Sequence, residues 1–172
     1  NQFPIQMTGG EFPTRIVTVD PKGRFIVLSR DQDGREYPSL YKQSVDGGPL
    51  ELLVAGNTKS VQMQFLDETG RFLYYKSNEV QASSYVIYRI DLEQKKVSES
   101  RVEIFNRSGI WGVIDYLENG KTLLLYESFG NSKSKFYRYT IATKNLEPLF
   151  NGTSGNDHVQ FAPSGKEYLV VT

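Results

Sequence analysis

Short apolar runs return along this chain at a long, nearly fixed interval, and each is introduced by a polar turn built on glycine. FIVLS follows Asp20-Pro21-Lys22-Gly23-Arg24, and FLYYKS follows Asp67-Glu68-Thr69-Gly70-Arg71. TLLLYES follows Leu117-Glu118-Asn119-Gly120-Lys121, and EYLVV follows Ala162-Pro163-Ser164-Gly165-Lys166. The four glycines are 47, 50 and 45 residues apart. Each unit reads as a tight turn that uses glycine's tolerance of positive φ, then a basic residue, then a strand. The runs are apolar at consecutive positions, as expected for strands covered on both faces.

The units continue alike. Tyr41-Lys42 and Tyr88-Arg89 begin 18 residues after their glycines, and Tyr137-Arg138 begins 17 after its own. They lie in LYKQSV, YVIYRIDL and FYRYTI, aromatic and β-branched segments typical of strands. A helix over 85–96 is the rival reading, favoured by EQKK. Polar turns follow at Asp46-Gly47-Gly48, Glu93-Gln94-Lys95 and Thr143-Lys144-Asn145. A last strand then closes the unit, clear at Leu50, Leu52 and Leu53 and at Leu146, Leu149 and Phe150, but diffuse over Val97 to Ile104. A strand also precedes each glycine turn, beginning at Ile16, Val61, Ile110 and His158. Four strands per unit and a period of roughly 40 to 50 residues predict an all-β fold, a β-propeller segment of four-stranded antiparallel blades.

Complete blades are expected at about 15–54, 61–104 and 110–150, a partial blade at 158–172, and the outer strand of a preceding blade at about 4–8. Blades cover one another's faces, usually as a ring of about four to eight. The chain is therefore expected to be a segment of a larger propeller whose exposed blade edges favour self-association; a closed four-bladed ring is the alternative.

Composition removes several function classes. Twenty basic and twenty acidic residues cancel, so no broad basic face for nucleic acid is implied, and the many aromatics are better assigned to blade packing than to base stacking. The apolar runs are too short to span a bilayer. With 38% hydrophobic residues the chain is too apolar for disorder. Cysteine is absent, which excludes disulfides, thiolate metal sites and a cysteine nucleophile without identifying a compartment. Asn1-Gln2-Phe3-Pro4 has neither the basic start nor the apolar centre of a secretion signal.

Three stretches carry a family resemblance. SRDQDGREYPSLYKQSVDGGPLELL (29–53) resembles a blade with RD-x-G-x-E, then LY, then D-x-x-G-G-x-P-x-x-L. GIWGVIDYLENGKTLLL (109–125) resembles G-x-W-x-V-x-D-W-S-P-D-G-K-x-L-L, and VQFAPSGKEYLVV (159–171) a weakened F-S-P-D-G-K repeat. Together they are similar to the propeller of prolyl oligopeptidase family serine peptidases, in the acylaminoacyl-peptidase-like and dipeptidyl-peptidase-like branches. Tyr116-Leu117-Glu118 departs from Trp-Ser-Pro and Ser164 from Asp. TolB-type propellers share the P-D-G-K repeat. The resemblance implies a non-catalytic part that gates and positions short peptide substrates for an α/β-hydrolase domain, which carries the catalytic residues. The alternative is a TolB-like or WD-repeat-like platform that binds a protein partner.

No G-x-S-x-G nucleophile elbow occurs in the chain, and Gly152-Thr153-Ser154-Gly155 does not match. The sole histidine, His158, and adjacent Asp157 point to opposite faces of a strand, so no catalytic residue is assigned. The binding candidates are Asp31, Asp33, Glu36 and Tyr37 in the first blade, able to meet a peptide amino terminus or a hydrolase domain, and Trp111 with Asp115, expected on one face of an inner strand. Asp31-x-Asp33-Gly34 resembles the start of a calcium loop, but Lys42 stands where its bidentate glutamate is required, so neither metal nor cofactor is expected. Gly120-Lys121-Thr122 lacks the preceding glycine and following helix of a phosphate loop. Asn106-Arg107-Ser108 and Asn151-Gly152-Thr153 fit the glycosylation pattern.

Overall fold

The computed structural model describes residues 12–31, 34–130, 133–150 and 158–171. Asp33, the expected strand at 4–8 and Asn151-Gly152-Thr153 lie outside them. The described residues form three four-stranded antiparallel sheets and one pair. Blade 1 holds β1 (Thr14–Val19), β2 (Phe25–Arg30), β3 (Ser39–Ser44) and β4 (Glu51–Val54). Blade 2 holds β5 (Val61–Leu66), β6 (Phe72–Gln81), β7 (Ser84–Asp91) and β8 (Val102–Phe105). Blade 3 holds β9 (Ile110–Leu117), β10 (Thr122–Ser128), β11 (Ser134–Thr140) and β12 (Asn145–Pro148), and blade 4 the pair β13 (His158–Phe161) and β14 (Tyr168–Val171). Strand order follows chain order in every sheet. The helical alternative over 85–96 does not form: the segment is mostly strand β7, and a short 3-10 turn at Val97–Ser100 accounts for the diffuse pattern before β8.

The core lies between blades rather than within them. Val27, Leu40, Val61, Tyr75 and Tyr88 fill the space between blades 1 and 2. Tyr74, Ile87, Phe105, Trp111 and Leu125 fill that between blades 2 and 3, and Leu124, Phe136, Val159 and Phe161 that between blades 3 and 4. Leu123, Leu124 and Leu125 are all fully buried because alternate side chains of one strand enter different clusters. Tyr116, Phe65 and Tyr74 stack across blades 2 and 3 at centroid separations of 4.1 and 4.2 Å. Aromatic pairs add roughly 0.5–1.5 kcal/mol beyond area burial. The first strands β1, β5, β9 and β13 touch one another in succession and so form the inner side of the fan.

Each complete blade carries a bulge at one place on its inner strand. The register skips one residue after Ile16, Met63 and Val113, leaving Val17, Gln64 and Ile114 without a direct partner, each six positions before the turn glycine. An inserted residue exchanges the faces beyond it. Met63 accordingly packs toward blade 1 and Phe65 toward blade 3.

The hairpin turns also join the blades. The Asp20 side chain, fully buried, receives the Arg24 Nε at 2.7 Å, and Arg24 reaches on to the carbonyls of Thr69 and Gly70 in blade 2. A Cβ on Gly70 would overlap Asp20 Oδ1, and one on Gly120 would stand 2.7 Å from the Tyr74 hydroxyl. Glycine is required there as much by the neighbouring blade as by the turn.

Candidate functional site

The loop from β2 to β3 holds the first group of candidates. Asp31 is committed to the loop's own backbone: Oδ1 accepts from Gly34 N at 3.2 Å and Oδ2 from Glu36 N at 2.8 Å. These bonds let Glu36 adopt a left-handed φ of 62°, and they leave the exposed Glu36 and Tyr37 side chains at the loop's surface. The Tyr37 and Pro38 carbonyls press against Gly56, where no side chain fits. Of the described members of this group, Glu36 and Tyr37 face outward with their functional atoms uncommitted to the turn.

Trp111 and Asp115 do not share a face. Four residues on a regular strand would keep them together, but the bulge at Ile114 turns the strand between them. Trp111 enters the cluster between blades 2 and 3, edge-on to Phe105 at 4.8 Å, and its Nε1 donates to Ser108 O at 3.0 Å. Asp115 turns to blade 4, where Oδ2 accepts from Phe161 N at 2.7 Å. Gln64 at the blade 2 bulge does the same for blade 3, its Oε1 accepting from Val113 N at 2.8 Å. A side chain near the bulge thus satisfies a backbone N–H of the next inner strand.

A group that motif reading passes over lies between blades 2 and 3. Lys76 is 5% exposed. Its Nζ donates to the Tyr126 hydroxyl at 3.0 Å and stands 4.8 and 5.4 Å from the ring centroids of Tyr85 and Tyr126. Among the described residues no carboxylate pairs with it. Cation–π contact and one phenolic oxygen stabilise the ammonium in place of a counter-ion. Gly112 makes room, since a Cβ there would meet the Tyr126 ring at 2.5 Å. An ammonium has three donors, so the arrangement keeps capacity for a further oxygen acceptor. The sequence signal is the one charge inside the apolar run FLYYKS.

On the edge where the glycine turns and the β3–β4 and β7–β8 connections meet, charges bridge blades 1 and 2. Arg71 grips Asp91 with two nitrogens, at 3.0 and 2.7 Å, and Glu93 stands 3.6 Å from Arg71 and 4.0 Å from Arg24. The guanidinium hydrogen bonds hold the Asp20 and Asp91 carboxyls below the usual aspartate range. Burial pushes the Tyr75 and Tyr137 phenols up to about 12. Among the described residues no group of three or more potential metal ligands occurs, and no helix is long and apolar enough to cross a membrane.

No family model and no curated protein matches the chain. Solved structures do. TolB from Acinetobacter baumannii is 21% identical, with a TM-score of 0.66 over 94% of this chain and 38% of its own. A prolyl endopeptidase is 14% identical, with a TM-score of 0.69 over 92% of this chain and 24% of its own. TolB from Agrobacterium tumefaciens is 18% identical, with a TM-score of 0.64 over 88% of this chain and 51% of its own. The chain thus spans between a quarter and a half of these proteins. At such identities the likeness concerns fold: this is a β-propeller region of four-stranded blades, of the kind found in TolB and in prolyl endopeptidases.

Proposed function

We propose that these blades are the non-catalytic propeller part of a prolyl oligopeptidase family peptidase, selecting and positioning short peptides for a hydrolase domain that supplies the bond-breaking residues. The observation that carries this reading is the stretch 29–53, in which the family-like RD…E…LY pattern coincides with a loop whose Asp31 is consumed by the turn while Glu36 and Tyr37 face solvent. A carboxylate beside a phenol suits a peptide ammonium group. Loops on a rigid sheet scaffold tune selection without disturbing the core.

The test uses the parent protein and peptides with free or acetylated amino termini. Glu36→Gln should raise KM for the free-amine peptide about tenfold, leaving kcat and the acetylated peptide unchanged. Equal effects on both peptides would sink the reading. The 172-residue chain alone should show no hydrolysis above a heat-killed control.

A second reading, a platform that docks a protein partner, is favoured by the likeness to TolB over 94% of the chain. The coding sequence beyond Thr172 separates them: about 250 residues of alternating strands and helices with a G-x-S-x-G elbow would select the peptidase.

A further inference from the structure

The strand-c cations of the three blades are not treated alike. Lys42, Arg89 and Arg138 each follow the tyrosine of their unit, and each stands across from a residue of the outer strand. Lys42 pairs in register with Glu51 and Arg138 with Glu147, whereas Arg89 pairs with Val102. In blade 1 the pairing is a salt bridge, Lys42 Nζ to Glu51 Oε2 at 2.9 Å. In blade 3 Glu147 accepts instead from Asn145 Nδ2 at 2.6 Å, and Arg138 lies over the Phe161 ring. Blade 2 has no acid at this place, and Val102 is 45% exposed.

The cation itself is kept and held in place. The Arg89 guanidinium lies 4.5 Å from the Phe72 ring centroid, with Arg71 at 4.9 Å from the same ring. Arg71 is consumed by Asp91 and Lys96 by Glu99, at 2.7 and 2.8 Å. Among the described residues Arg89 and Lys95 have no carboxylate within ion-pair distance. Both line an open pocket of about 570 Å³, together with Phe72, Asp91, Lys96 and Glu99, the two acids being those held by Arg71 and Lys96. The 3-10 turn before β8, which has no counterpart in blades 1 and 3, supplies part of its wall.

We infer that this pocket binds an acidic side chain of a peptide or protein partner, a glutamate supplied in trans where blade 1 supplies Glu51 in cis. A stacked guanidinium is orientationally fixed and has a fork of donors matched to a carboxylate. Lys95, on the pocket's wall, adds long-range attraction for a second acid. The site lies apart from the β2–β3 loop and does not depend on the peptidase reading.

The experiment follows the backbone N–H resonances of Lys95, Lys96 and Ser100 on the pocket wall, and in the unsubstituted chain the Arg89 side-chain N–H resonances as well, during titration of the isotopically labelled full chain with three peptides. Two are blocked at both ends, with the sequences Ala-Glu-Glu-Ala and Ala-Gln-Gln-Ala, and the third is an acetylated tetra-alanine bearing a free carboxyl terminus. Saturable shifts with the glutamate peptide alone are expected. Val102→Glu, which restores the acid of the sister blades at an exposed position, should weaken binding at least tenfold, and Arg89→Gln should do the same. If Arg89→Gln unsettles the sheet through its stacking on Phe72, the Val102→Glu variant decides. Equal shifts with the glutamine peptide, no shifts with any peptide, or undiminished binding in Val102→Glu overturn the inference. A stronger response to the free carboxyl terminus overturns the side-chain assignment.

Discussion

Alanine at Gly70 and alanine at Gly23 form a matched pair of perturbations. The two glycines hold the same place in successive turns, with φ of 69° and 68°. Nothing lies within 4 Å of a Cβ at Gly23, whereas a Cβ at Gly70 would overlap Asp20 Oδ1 and approach the Arg24 guanidinium to 2.7 Å. Each substitution carries the cost of a left-handed alanine, about 1 kcal/mol. Gly70→Ala must also displace a buried carboxylate that accepts from the Arg24 backbone and side chain. Because Arg24 is 43% exposed, its half of the pair is partly screened, and the added loss is about 1–3 kcal/mol. Gly23→Ala should therefore lower Tm by about 2–4 °C and Gly70→Ala by about 4–16 °C at this chain length. Thermal unfolding followed by circular dichroism checks both. In an Asp20→Ala background the Gly70→Ala loss should shrink toward that of Gly23→Ala. Equal losses for the two single variants would refute the claim that the turn is shaped by its neighbouring blade.

Other outcomes follow from the same structure. Asp20 and Asp91 have depressed pKa values, so their contribution is complete above the unfolded value near 3.9 and is lost as pH falls through the folded value; Asp20→Asn should flatten acid unfolding in that window, read by urea midpoints against pH. Tyr75 and Tyr137 are raised to about 12, so stability should decline from about pH 10 to 12 as unfolding releases their protons, and absorbance at about 295 nm should show a late-titrating class of phenols. Tyr126→Phe removes the hydroxyl that accepts from Lys76 and should cost about 1–2 kcal/mol, while the double variant with Lys76→Met should recover most of it; a double variant no more stable than Tyr126→Phe would count against this. Ile16 and Val19 at one end of the stack and Leu169 and Val170 at the other are 40–57% exposed, so light scattering should show concentration-dependent association, and a constant monomer mass would contradict it.

The repeated turns and the strands after them are legible without coordinates, because a glycine at positive φ and an apolar run buried on both faces leave strong marks in sequence. The bulges are not. Val17, Gln64 and Ile114 share a position, but two are aliphatic residues ordinary in any strand and the third is an amide, and one skipped partner leaves no trace in composition. Strand periodicity alone therefore pairs Trp111 with Asp115, and the register separates them. Lys76 is visible as a charge within an apolar run, though its aromatic surroundings come from Tyr85 and Tyr126, 9 and 50 residues away. The isolation of Arg89 emerges only when strand register sets Val102 beside Glu51 and Glu147 in the other blades.

The contacts made by the hairpin turns run in one direction. Asp20 receives Gly70, Tyr74 receives Gly120, and Leu117 lies 3.1 Å from the Cβ position of Gly165, so each receptor belongs to the earlier blade and each inserted turn to the later one. A nascent chain emerging from the ribosome therefore finds every socket finished before the matching turn is synthesised. Assembly gains a built-in arrow, and a blade can be docked by its first hairpin while its outer strands are still unmade.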